Sequence, residues 1–193
     1  EKFPETHGLL VVNSIIPESS AAMSLEVGDI LLAINEKSIT EFSTLESNIN
    51  NNVGQNINLS VLRRGEALSF SINVINLDEI TPSAFLKFDG GVFHNLSYQQ
   101  ARHFNKPIKG VYVANSAGSF KQAGVPHKSV ITEFNGVHVD TIEEFNKQLS
   151  LIVDGSKVNL RYFDLNNPST SNYGFVVIYR TWFENNYCQK SSP

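Results

Sequence analysis

The stretch Gly8-Leu9-Leu10-Val11-Val12-Asn13-Ser14 returns 102 positions later as Gly110-Val111-Tyr112-Val113-Ala114-Asn115-Ser116, with the alternation of apolar positions kept. Working outward, three more segments repeat in the same order. Asp29-Ile30-Leu31-Leu32-Ala33-Ile34-Asn35 is echoed by Ser129-Val130-Ile131-Thr132-Glu133-Phe134-Asn135, Glu41-Phe42-Ser43-Thr44-Leu45 by Thr141-Ile142-Glu143-Glu144-Phe145, and Ile57-Asn58-Leu59 by Val158-Asn159-Leu160. The offset stays between 100 and 102, so order and spacing survive while most side chains differ. That pattern is a duplicated domain, each copy with its own core.

Composition narrows the function classes. The 193 residues are 41% hydrophobic and 18% charged, with a net charge of −4. Lys and Arg are scattered, which provides no footprint for nucleic acid or for an anionic membrane. No apolar run approaches the roughly 20 residues that span a bilayer, and residues 1–5 do not read as a signal peptide, so the chain reads as soluble. The one cysteine, Cys188, rules out an internal disulfide and a cysteine metal cluster. It favours an intracellular, reducing setting without excluding a bacterial periplasm.

In each copy the glycine opens a strand, residues 9–16 and 111–114. A short helix is expected at 19–23, with Ser19 and Ser20 as caps. Gly28-Asp29 then leads into a buried strand, residues 30–34, and Asn35-Glu36-Lys37 turns the chain. Phe42, Leu45 and Ile49 share one helical face, as do Ile142, Phe145, Leu149 and Ile152. Gly54 and Gly155 suit the helix ends. Alternating strands close the copies, at 57–61 and 68–74 with Arg64-Gly65-Glu66 as their turn, and at 158–163 and 175–180 with a longer polar connection over 166–173. Residues 77–82 read as a linker. The second copy adds a strand at 85–88, a bend at Gly90-Gly91 and a helix at 97–104 capped by Ser97; an equivalent piece of the first copy would precede Glu1. The expected domains are 1–79, read as lacking its first strand, and 80–182, with 183–193 as a C-terminal extension.

Gly28-Asp29-Ile30-Leu31-Leu32-Ala33-Ile34-Asn35 and Phe134-Asn135-Gly136-Val137 resemble the PDZ domain in the circularly permuted form found in HtrA-family serine proteases. Phe93-His94-Asn95-Leu96-Ser97-Tyr98-Gln99-Gln100-Ala101-Arg102 and Lys109-Gly110-Val111-Tyr112-Val113 narrow the likeness to the central PDZ pair of large fungal and plant HtrA-like proteases, which carry an active trypsin-like domain before the pair and a degenerate protease copy after it. The resemblance covers residues 1–182. It implies an α+β fold of two PDZ-like domains, each a small, mostly antiparallel β-barrel or sandwich with two helices.

A PDZ groove collects a C-terminal carboxylate on the amides of a glycine loop and adds the peptide as a strand to a sheet edge. The resemblance assigns these roles to Gly8, Leu9, Leu10 and Val11, and to Gly110, Val111, Tyr112 and Val113. Leu45, Asn48 and Ile49, and Phe145 and Leu149, are the pocket candidates on the helices, with core packing as their alternative role. His7 and Lys109 precede the loop glycines, where a cation helps hold a carboxylate or points to solvent. The second copy has Gly124-Val125-Pro126-His127-Lys128 where the first has the Gly-Asp turn, so its groove is open to being narrowed or blocked.

No G-x-S-G-G loop marks a serine nucleophile, and the five histidines lack metal or catalytic spacing. No catalysis, metal or cofactor is therefore expected of this chain. The expected partners are peptide C-termini or unfolded segments and the protease domain of the same parent; homo-oligomerisation is left open, and nucleic acid and membrane are not expected. The resemblance allows nuclear, organellar or periplasmic settings. The competing reading is a non-enzymatic PDZ scaffold for protein assembly.

Overall fold

The computed structural model describes residues 8–183 and 185–190. The chain divides into two compact units, Glu1–Ile80 with Asn105–Pro107, and Thr81–Phe104 with Ile108–Pro193. All strand pairings among the described residues are antiparallel, and neither sheet closes into a barrel.

Unit 1 orders its main strands β1 (Leu10–Val11), β2 (Ile30–Ile34), β4 (Asn56–Arg63) and β5 (Glu66–Asn73), with β3 (Lys37–Ser38) also on β2. Alternation along β4 turns Ile57, Leu59 and Val61 inward. The β4–β5 turn places Arg64 and Gly65 at φ of +52° and +87°, the two left-handed positions of a tight hairpin. Helix α1 (Phe42–Asn50) covers one face of this sheet.

The expected helix at 19–23 is instead a run of turns. Within it Ala22 N–H donates to the Ser19 carbonyl and Ser24 N–H to the Ala21 carbonyl, the three-residue reach of turns, and the Ser20 hydroxyl donates to the Asn73 carbonyl rather than capping a helix. The first strand is short, two residues rather than eight.

Unit 2 contains β6 (Ala84–Phe88), β7 (Gly91–Asn95), α2 (Tyr98–Phe104), β8 (Val111–Asn115), α3 (Gly118–Gln122), β9 (Ser129–Phe134), β10 (Val137–His138), α4 (Ile142–Ser150), β11 (Lys157–Asp164), β12 (Asn167–Val177) and β13 (Asn186–Gln189). Its sheet runs β12-β11-β9-β8-β7-β6-β13. Phe93, Phe120, Phe134 and Phe145 form the centre of the core, with Phe93–Phe120 and Phe134–Phe145 centroids both 4.8 Å apart. Ser97 caps α2 as expected, its hydroxyl accepting from Gln100 N–H while the Gln100 side chain accepts from Ser97 N–H.

Two stretches differ from their expected form. Residues 166–173 are mostly strand rather than loop, because β12 extends over eleven residues. Within the stretch set aside as a C-terminal extension, residues 186–189 add a strand to β6, register Tyr187 opposite Leu86.

Candidate functional site

Strand addition needs an unpaired sheet edge beside an apolar helix face. In unit 1, β1 pairs with β2, Leu10 opposite Leu31 and Val11 opposite Ile30, and has no second strand among the described residues. Val12 N–H donates to the Asp29 carbonyl at 2.8 Å, and Gly28 N–H to the Val12 carbonyl at 2.9 Å, so the chain stays on this edge beyond β1. Leu45 and Ile49 of α1 and Leu10 and Val12 are all half-buried and pack against one core cluster. Asn48 lies on the same helix, its side-chain amide donating to the Thr44 carbonyl. Thus Gly8, Leu9, Leu10, Val11, Leu45, Asn48 and Ile49 are placed around one edge and one helix. Gly8 has open space where a Cβ would sit. His7 lies outside the described residues.

Behind this edge, Asp29 is buried and holds the fold of the Gly-Asp turn. Arg63 Nη2 and Nε donate to its two carboxylate oxygens at 2.7 and 2.8 Å, and Glu26 N–H adds a third bond. The Arg63 bonds hold the Asp29 carboxyl below its ordinary range, outweighing its burial.

The equivalent residues of unit 2 do not make a groove. Strand β8 is internal, with Tyr112 opposite both His94 of β7 and Val130 of β9. Tyr112, Val113 and their neighbours therefore have no free edge to offer, which corrects the expectation for Gly110, Val111, Tyr112 and Val113. The Gly110 N–H already donates to the Asp140 carbonyl at 2.7 Å. Gly110 is required for packing: it has φ +96°, and a Cβ would lie 2.6 Å from a Val130 methyl. Lys109 Nζ sits 3.8 Å from the Asp140 carboxylate of its own unit. Phe145 and Leu149 are buried in the core, so they are packing residues there.

Instead, the β6–β7 hairpin covers β8, and α4 packs against both of its strands. Ala84, Leu86 and Phe88 of β6 are buried. Asp89 and Gly90 turn the hairpin at φ of +47° and +75°. The Asp89 carboxylate accepts from Ser119 N–H and fills the space a side chain at Gly118 would need. Asn95 Oδ1 accepts from Ile142 N–H at 2.6 Å, tying β7 to the start of α4.

The closing hairpin had a sequence signal, the Asp-Gly pair between alternating Ala84, Leu86, Phe88 and the apolar Phe93. Strand β13 and the Asp29–Arg63 pair had none, being four exposed-to-intermediate residues and a contact across 34 positions. Among the described residues no three His, Cys, Asp or Glu side chains cluster to hold a metal, and no helix is long and apolar enough to cross a membrane.

Two antiparallel sheets, each with an amphipathic helix packed against its core, define tandem PDZ domains. Family models agree: residues 2–74 match the PDZ domain and residues 79–155 the PDZ-like domain. The chain belongs to the PDZ family and aligns with HtrA-like serine proteases. It is 36% identical over 185 residues to the pro-apoptotic serine protease NMA111 of Yarrowia lipolytica, covering 94% of this chain and 19% of that protein. The same-named protein of Phaeosphaeria nodorum is 35% identical over 184 residues, covering 94% and 18%. Protease Do-like 7 of Arabidopsis thaliana is 38% identical over 155 residues, covering 80% and 14%. The chain thus spans less than a fifth of these relatives.

Proposed function

We propose that this chain is the peptide-binding and regulatory part of an HtrA-like serine endopeptidase, and that unit 1 carries its accessible site. The observation that supports this most is that Leu10 and Val12 of the β1 edge and Leu45 and Ile49 of α1 pack half-buried against one core cluster. An extended segment ending in an apolar residue adds to β1 and places that side chain against Leu45 and Ile49. Burial of one Leu-sized side chain contributes about 2 kcal/mol, and with backbone pairing a micromolar affinity, about −8 kcal/mol, is in reach. Catalysis belongs to a protease domain elsewhere in the parent, since the chain lacks a G-x-S-G-G loop. Peptide capture controls that domain only as far as the peptide prefers one of its arrangements.

The closed edge of unit 2 favours a second role, docking and assembly, for that unit. Calorimetric titration with free C-terminal peptides, repeated with Leu45→Glu, tests the first role. Micromolar binding lost in the variant is the expected result; no binding would leave assembly as the better account. The same titration on a chain that starts further upstream reads the edge in the parent: kept affinity supports an open β1, and its loss would mean that the parent fills the β1 edge itself.

A further inference from the structure

Strand addition also takes place in unit 2, but within the chain. The outer edge of β6 carries β13, whose only strand partner among the described residues is β6. Lys190 N–H continues the ladder to the Ser83 carbonyl at 2.8 Å, and Asp89 N–H reaches Asn185 Oδ1 at 3.3 Å. One side chain anchors the strand. Tyr187 lies opposite Leu86, packs against the core, and donates its hydroxyl to Glu143 Oε1 of α4 at 2.6 Å.

We infer that the β6 edge and Glu143 form a strand-acceptor site for an extended segment with a tyrosine opposite Leu86, and that Asn186–Gln189 occupies this site in cis and can be displaced. This deepens the peptide-capture reading and rests on it.

The chemistry of recognition is divided in the way strand addition requires. Backbone pairing along β6 holds any extended chain, and the alternate inward side chain selects among them. A tyrosine meets both demands, an apolar body against the core and a hydroxyl at a carboxylate. Burial pushes the Glu143 carboxyl up, yet bonds from Tyr187, Thr141 and Asn95 outweigh it and hold the group below its ordinary range, ready to accept. Burial and that carboxylate push the Tyr187 phenol up to about 12, so it remains the donor at neutral pH.

Displacement is cheap by the same measure. The strand has four residues, two exposed and two half-buried, and the segment before it leaves Trp182 82% and Phe183 51% exposed. Leaving β6 therefore releases only two half-buried side chains of the strand, Tyr187 and Cys188.

The test uses a labelled peptide of residues 185–190 under reducing conditions, followed by fluorescence anisotropy against the intact chain and Tyr187→Ala. The variant is expected to bind at least tenfold tighter than the intact chain, and a peptide with Phe in place of Tyr to lose most of that affinity. A variant that still melts cooperatively and binds no tighter overturns the proposal, as does equal binding of the Phe peptide. Should the variant not fold, hydrogen exchange on the intact chain decides: β13 amides exchanging at least tenfold faster than those of β7 and β8 support displacement, and equal protection contradicts it. Leu45→Glu leaves this peptide's binding unchanged and Tyr187→Ala leaves apolar-ended binding unchanged, so either reading can fail alone.

Discussion

Helices α1 and α4 stand at corresponding places in the two copies, with Phe42, Leu45 and Ile49 matching Ile142, Phe145 and Leu149. In α4 all three are buried, whereas α1 buries none and leaves Phe42 65% exposed. The helices also start differently. Thr141 accepts from Glu144 N–H and the Glu144 carboxylate accepts from Asp140 N–H, while Glu41 makes no side-chain cap bond. The cause is the hairpin of β6 and β7, which lies against α4 and has no counterpart on α1 among the described residues. The two copies share the helix and the strand behind it, and among the described residues only the second shows a further hairpin against them.

The largest break in this symmetry is expected from the helices themselves. Phe145→Ala should cost about 3–5 kcal/mol in urea unfolding, whereas Leu45→Ala, half-exposed, should cost about 1 kcal/mol. Similar costs would mean that α1 is as deeply packed as α4. The loop glycines come next: Gly110→Ala should cost about 3 kcal/mol, from its φ and the Val130 contact, while Gly8→Ala should stay within about 0.5 kcal/mol.

A third contrast lies behind the edge strands. Asp29→Ala should destabilise unit 1 by about 2 kcal/mol, leaving Arg63 without its carboxylate. Ser129 takes the corresponding place in unit 2, and its buried hydroxyl has no hydrogen-bond partner among the described residues, so Ser129→Ala should be within about 0.5 kcal/mol of neutral. The pH dependence has a definite sign. The folded carboxyl of Asp29 lies below the ordinary carboxylate range, so its contribution is present above that range and is lost as pH falls through the folded value. Acid melts of Asp29→Asn should lack this component. The smallest effect is expected from Glu143→Gln, with β13 amides exchanging several-fold faster and global stability changed by less than about 0.5 kcal/mol.

The duplication, the strands and both amphipathic helices were legible because they rest on local periodicity and on repeated spacing, and the PDZ family through the likeness of residues 28–35 and 134–137 to that family. The Asn35-Glu36 and Arg64-Gly65 turns were legible for a similar reason, since residues that tolerate positive φ mark them. The second groove was misread because Gly110-Val111-Tyr112 looks like Gly8-Leu9-Leu10, and a pattern of side chains does not state how many partners a strand has. That number depends on β7, whose pairing with β8 is a tertiary fact. The turns at 17–24 and the strand β13 escaped for lack of periodicity: the first closes three-residue turns such as Ala22 N–H to the Ser19 carbonyl, and the second is too short to alternate.

Mapping amide chemical shifts of the intact chain during titration with an apolar-ended C-terminal peptide tests the central claim most directly. The account predicts changes gathered at Leu9, Leu10, Val11 and Val12 and along α1, and absent with Leu45→Glu. Changes gathered instead along β8 and α4 would contradict it.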